Sequence, residues 1–161
     1  MFVVLFSIIL ILLDQFSKFL VKTYLMGREP LVLINDFLRL YYIENRGAAF
    51  GILQGRRSFL TIITIIVLVF LTIYLFRNYR KLPKIYLFSI SLLIGGTIGN
   101  FIDRIRLHYV VDFISVKIFN YNFAIFNFAD VFIVLGTILI CIGIVLYDNP
   151  KNKYKSEKNE R

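Results

Sequence analysis

Residues Phe59–Phe76 read FLTIITIIVLVFLTIYLF, eighteen consecutive positions without a charge. The hydrocarbon core of a bilayer takes about 20 mostly apolar residues per helix, with a range of about 17–25. Two further runs meet that length: Ile85–Ile102, again eighteen uncharged residues, and Val131–Tyr147, seventeen. Three such runs within 161 residues predict membrane helices. The composition agrees. Hydrophobic residues make up 58% and charged residues 18%, against roughly 45–50% and about 25% in a soluble domain. Mean hydropathy is +0.74. This balance excludes disorder and argues against a water-soluble enzyme, because too few polar residues remain to cover a small globule. The length allows one domain.

The N-terminal segment is less uniform. Met1–Leu13 is uncharged, after which Asp14, Gln15, Ser17 and Lys18 interrupt before Phe19–Val21 and Tyr24–Met26. A cleaved signal peptide would carry a basic region before the apolar run and a small-residue cleavage site after it. Neither is present, so the segment predicts an uncleaved first helix over about Phe2–Tyr24. The expected architecture is all-α and integral to the membrane, with four transmembrane helices near 2–24, 59–76, 85–102 and 128–147.

Basic residues then orient the chain. Arg77–Lys84 (RNYRKLPK) and the tail Asp148–Arg161 hold nine basic residues in 22 positions, whereas Met26–Ser58 and Asp103–Ile125 hold eight in 56. The positive-inside rule puts both termini and the Arg77–Lys84 loop in the cytoplasm. The net charge of +9 is thereby explained as an orientation signal, and no nucleic-acid partner is expected. The outer connections, 26–58 and 103–125, are too long for simple turns. Leu31–Tyr42 and Val110–Phe123 are rich in β-branched and aromatic residues with partial alternation, which predicts strands forming a small extracytoplasmic cradle at the headgroups. An interfacial helix would use similar residues.

Charged groups at membrane depth are expensive and usually functional. With the first and third helices running outward and the fourth inward, Asp14, Asn100, Asp103, Asn127 and Asp130 all fall in the outer half. Asp112 lies in the connection between the last two helices. Structural readings stand beside this convergence. Asp14 and Lys18, four apart, can form an ion pair with Lys18 snorkelling outward. Asn127 and Asp130 suit the start of a helix. Asn100 and Asp103 can hydrogen-bond between helices, and Gly95, Gly96 and Gly99 suit close helix packing. Arg104 divides evenly between anchoring a helix end and binding, while His108 and Cys141 read as a surface histidine and a lipid-facing or packed thiol.

The inventory narrows the chemistry. One histidine and one cysteine do not furnish the usual zinc ligands, and H-E-x-x-H is absent. A serine triad would depend on His108 without G-x-S-x-G, and a Ser–Lys dyad of Ser58 with Lys18 is weak. Two neighbouring carboxyl groups need nothing else, because mutual repulsion and desolvation leave the pair holding one proton near neutrality. The ionised member can then activate water while the protonated one hydrogen-bonds the attacked carbonyl. Asp112 and Asp130 are the natural pair, without metal or cofactor; Asp14 lies too near Lys18.

At these residues the chain resembles the lipoprotein signal peptidases, or signal peptidase II, aspartic proteases of bacterial cytoplasmic membranes. Asp14–Lys18 (DQFSK) is similar to the family's D-Q-x-x-K, and Asn45–Gly51 (NRGAAFG) to N-x-G-A-A-F. Gly95–Arg104 (GGTIGNFIDR) matches G-G-x-x-G-N-x-x-D-R. Val111-Asp112-Phe113 and Phe126–Asp130 (FNFAD) match V-D-F and F-N-x-A-D. The five segments occur in order along almost the whole chain. The departures are Phe128 within the last motif, tolerable if its side chain faces away, and a non-basic N-terminus. The resemblance implies a catalytic dyad of Asp112 and Asp130. It also implies that Asp14, Asn45, Gly47, Asn100, Asp103, Arg104, Asn127 and Ala129 shape or support the site.

The implied substrates are prolipoproteins carrying diacylglycerol on a cysteine and cut just before it, held at the outer leaflet by their acyl chains. Membrane lipids are the other expected partners, and the enzyme is expected to act as a monomer. A flap within 26–58 is implied, and Gly47-Ala48-Ala49 leaves room for a small substrate residue. The principal rival is a proton-coupled transporter, since intramembrane acids also form relays. It would require inverted repeats and polar residues reaching both sides. Helix two offers only Thr61, Thr64 and Thr72. A non-catalytic scaffold gives no reason for Asp112 and Asp130.

Overall fold

The computed structural model describes residues 2–47, 53–119 and 121–147. Four long helices are joined on one side by a small sheet. The elements are α1 (Phe2–Leu25), β1 (Leu31–Ile34), β2 (Leu38–Asn45), α2 (Arg57–Asn78), α3 (Lys84–Arg106), β3 (Val110–Ile118), β4 (Tyr121–Asn122) and α4 (Phe128–Tyr147). All four helices are long and apolar enough to cross a membrane, so the chain is a multi-pass membrane protein with the all-α core and β-rich cradle expected.

One boundary differs from expectation. The third helix does not stop at Ile102 but continues to Arg106, because no breaker intervenes before His108, which takes a positive φ of 73°. Asp103, expected at the outer end of this helix, and Arg104 therefore lie within its last turns. Three residues apart, Asn100 and Asp103 share one buried face of α3.

The bundle is organised around α3, which packs against α1, α2 and α4, whereas among the described residues α3 is the only substantial partner of α2. Small residues permit this. A Cβ on Gly95 would lie 2.8 Å from the Cβ of Leu10 in α1. At Gly96 it would strike the Ala129 carbonyl oxygen of α4. Ser7 Oγ donates to the Ser91 carbonyl across the same α1–α3 seam at 3.0 Å. Helix α2 has a single buried residue, Leu71. Its exposed Ile, Val and Phe side chains suit lipid, since apolar surface of that extent is not left to water.

The sheet is antiparallel in the order β1-β2-β3-β4. It rests on the far end of α1, where Val21, Val111 and Phe113 form a buried cluster flanked by Leu25, Leu40 and Tyr42. The register of β2 against β3 shifts between Leu40 (opposite Ile114) and Ile43 (opposite Asp112), so β2 carries one extra residue there. Beyond that bulge Asn45 pairs with Val110, which puts the Asn45 side chain on the face of Asp112, two residues along. Leu31, Val32, Leu33, Ile34, Phe119, Tyr121 and Phe123 are exposed, an apolar rim suited to the headgroup zone.

The return to α4 is clamped. Phe113 and Ile114 both donate N–H to the Phe126 carbonyl, at 3.0 and 2.8 Å, and Phe126 N–H donates to Ile114 O at 3.1 Å. This bridge brings the first turn of α4 beside β3.

Candidate active site

Asn127 and Asp130 close the start of α4 reciprocally. Asp130 N–H donates to Asn127 Oδ1 at 3.0 Å, and Asn127 N–H donates to Asp130 Oδ2 at 3.1 Å. The pair satisfies two of the amides that every helix start leaves open. With its oxygen so engaged, Asn127 must turn its amide nitrogen the other way, where Nδ2 donates to Asp112 Oδ1 at 2.6 Å. Asp112 and Asp130 thus bracket one fully buried asparagine, one held through its side chain and the other through its backbone.

Two more asparagines complete the bracket. Asn45 Oδ1 accepts from the Gly47 amide at 2.9 Å, so Nδ2 faces Asp112 Oδ2 at 2.8 Å. Asn100 Oδ1 accepts from Lys18 Nζ at 3.0 Å and from Asn127 Nδ2 at 3.1 Å, so its own Nδ2 donates to Asp130 Oδ1 at 2.7 Å. Every carboxylate oxygen of the two aspartates receives one N–H. In each asparagine another partner fixes the amide orientation, so none can flip without losing a bond.

Lys18 departs from its expected position. It does not snorkel: it is 3% exposed and bonds Asp14 at 2.8 Å, Asp103 at 3.0 Å and Asn100. The physical reason is that α3 presents Asp103 and Asn100 on the face that meets α1, and two buried carboxylates demand a cation. Asp14 reaches further, accepting the Ala129 N–H at 2.9 Å. Gly99 makes that reach possible, since a Cβ there would sit 2.5 Å from Asp14 Oδ2 and 3.3 Å from the Ala129 Cβ. Gly99→Ala is therefore expected to cost about 1–3 kcal/mol by overpacking, read as a lowered unfolding temperature in detergent; an unchanged temperature would mean that the three helices are not held at this spacing.

Asp103 in turn accepts the Val111 N–H at 3.2 Å, anchoring β3 immediately before Asp112. Gln15, quoted in the first motif but given no role, proves to be a junction. Its Nε2 lies within hydrogen-bond distance of Asp14 Oδ2 (3.2 Å), the Gly99 carbonyl (3.1 Å) and Asp103 Oδ1 (3.0 Å). The signal for it was a second polar residue beside Asp14 in an apolar helix.

Among the remaining expected positions, Arg104 is half-buried, lines the cleft and lies within electrostatic range of Asp130, Asp112 and Asp103. Ala129 contributes its amide and a fully buried methyl. Phe128 packs edge-on against Phe113 at 5.7 Å. His108 and Cys141 are exposed. Ala48 and Ala49 of the small-residue segment, part of the expected flap and the tail from 148 onward lie outside the described residues.

Burial, then the charge of Asp130, push the Asp112 carboxyl up to about 6, against the hydrogen bonds from Asn45 and Asn127. On the neighbouring strand, the Arg46 guanidinium holds Glu44 below the usual carboxylate range. Both aspartates open onto a cleft of about 550 Å³. Its polar end is Asn45, Asn100, Arg104, Asp112 and Asp130, and its apolar wall runs from Phe123–Phe126 along α4 through Val131, Val134 and Leu135.

The chain as a whole is similar to known proteins. The family model for signal peptidase (SPase) II matches residues 6–146. A lipoprotein signal peptidase of Clostridium tetani is 45% identical over 144 residues, covering 89% of this chain and 92% of that protein. One from Staphylococcus aureus is 40% identical over 155 residues, covering 96% and 94%. A solved bacterial membrane enzyme, determined by the in meso method at 1.9 Å resolution, superposes with a TM-score of 0.80 at 39% identity, covering 91% of this chain and 94% of that one. With the match spanning all four helices and the sheet, the chain belongs to the signal peptidase II family of membrane peptidases.

Proposed function

We propose that the protein is an aspartic endopeptidase that removes the signal peptide from diacylglyceryl-modified prolipoproteins, cutting before the lipidated cysteine at the outer face of the bacterial cytoplasmic membrane. The observation that carries this reading is the Asn127 bracket, which gives Asp112 and Asp130 a shared, fully hydrogen-bonded setting at the mouth of a half-apolar cleft.

In this reading the more deeply buried Asp112 is the acid of the pair and the partly exposed Asp130 is the base. Asp130 takes a proton from water as the water oxygen attacks the scissile carbonyl carbon, and the Asp112 hydroxyl donates to the carbonyl oxygen. A tetrahedral intermediate forms. Proton return to the leaving nitrogen then breaks the C–N bond, yielding a carboxyl group and the free amine of the lipidated cysteine. The asparagines supply donors without competing for the proton. The apolar wall along α4 suits acyl chains, and anchoring the substrate in lipid positions the bond without extensive side-chain recognition.

The test is cleavage by the purified protein in lipid of a diacylglyceryl precursor beside the same precursor left unmodified. Only the first should be cut, before the cysteine. Equal cutting of both, or of neither, overturns the reading. The same assay carries a pH signature. Catalysis needs one proton on the pair, so kcat/KM should fall as pH rises through about 6, where Asp112 deprotonates. The sign for stability follows: what Asp112 contributes is fully present below about pH 4 and is lost as pH climbs through its raised value.

A further inference from the structure

At the end of the bundle opposite the aspartates, the start of α1 and the end of α2 leave a groove of about 630 Å³. Val3, Val4 and Leu75 form its apolar side, and Arg77, Arg80 and Lys81 its rim. The groove exists because α2 leans on α3 and has no substantial packing against α1. Among the described residues no acid lines it, and none of the three cations forms an ion pair with one of them.

The simplest alternative is that these cations serve the carbonyl end of α2. That end is in part supplied by the chain itself, and no side-chain bond from the three cations to its carbonyls is present among the described residues. Asn78 Nδ2 donates to the Tyr74 carbonyl at 2.9 Å, and Asn78 O accepts from Lys81 N–H at 2.8 Å and Leu82 N–H at 3.1 Å. Three positive side chains are thus left facing outward over an apolar wall, beside Phe76, which is 90% exposed and needs lipid around it.

We propose that this groove is a binding site for one anionic phospholipid, its phosphate held by Arg77, Arg80 and Lys81 and its upper acyl chain against Val3, Val4 and Leu75. A free anion would leave the apolar side unused; a neutral lipid would leave three charges unanswered. On the orientation that the basic loops indicate, the site faces the cytoplasmic leaflet, where anionic lipid is available. Each basic residue near an anionic surface is worth about fivefold in binding, so three together give on the order of a hundredfold.

The test is native mass spectrometry of the full chain in detergent, titrated with phosphatidylglycerol, phosphatidylcholine or inorganic phosphate. The expected result is one saturable phosphatidylglycerol, bound at least about tenfold more tightly than phosphatidylcholine and not displaced by millimolar phosphate. R77Q/R80Q/K81Q should abolish that preference, while R56Q/R57Q, which removes two cations from the other end of α2, retains it. Should the triple variant fail to insert, R77Q and R80Q singly are each expected to weaken binding about fivefold. Equal binding of the two lipids, displacement by phosphate, or single and triple variants that bind like the parent would each overturn the proposal.

Discussion

Asp130→Asn is expected to reduce cleavage of a lipidated precursor at least about 10³-fold, and Asp112→Asn to do the same. The first variant has no group that can take the proton from water. The second has none that can donate to the carbonyl oxygen and later restore the shared proton. Both should insert and remain folded, because the asparagine volume is nearly that of aspartate and the packing around position 112 is unchanged. A smaller effect is expected in the hydrogen bonds. Each aspartate accepts two N–H groups, one per oxygen, whereas an asparagine amide accepts on one side only, so one donor at each site loses its partner. That effect belongs to stability and leaves the kinetic prediction intact. Initial rates with folded protein, checked by gel filtration, decide it: turnover within tenfold of the parent in either variant would remove the dyad from the mechanism.

Lys18→Met should be the most destabilising single change outside the dyad. It leaves Asp14 and Asp103, both almost fully buried, without their cation, and breaking a buried pair on one side costs about 3–5 kcal/mol. In a chain of this length that lowers the unfolding temperature on the order of 10 °C. Activity should drop as well, because Lys18 holds the Asn100 oxygen and so keeps Asn100 Nδ2 on Asp130. Adding Asp103→Asn to Lys18→Met should recover part of the lost stability by removing one uncompensated charge, without restoring turnover. If Lys18→Met melts like the parent, the buried network is not under the electrostatic constraint described here.

These two expectations rest on different kinds of information. That Asp112 and Asp130 would face one cleft was legible in the chain, since Asp112 lies in the outer connection and Asp130 at the outer start of the helix that follows it, and a carboxyl pair needs neither the single histidine nor a metal. The position of Lys18 was not legible. A lysine four residues after an aspartate, one turn nearer the surface, reads equally as a snorkelling cation. Only the meeting of α1 with Asn100 and Asp103 on α3 draws it inward. Gln15 was hidden for the same reason: its three neighbours lie on its own helix and on one eighty-four residues away.

Three of the four spans required only the lengths of the uncharged runs, because a bilayer selects helices on local composition and each helix satisfies its own backbone. The orientation expected for the chain likewise rests on local information, the basic loops. What the tertiary structure alone decided is how the polar residues share their hydrogen bonds. The bulge in β2, the Phe126 bridge to β3 and the close approach allowed by Gly99 all depend on pairings between distant segments. Through them three asparagines are each given one fixed orientation. Hydrophobic length is a property of one segment, but the aim of an amide is set by the partner on its other side.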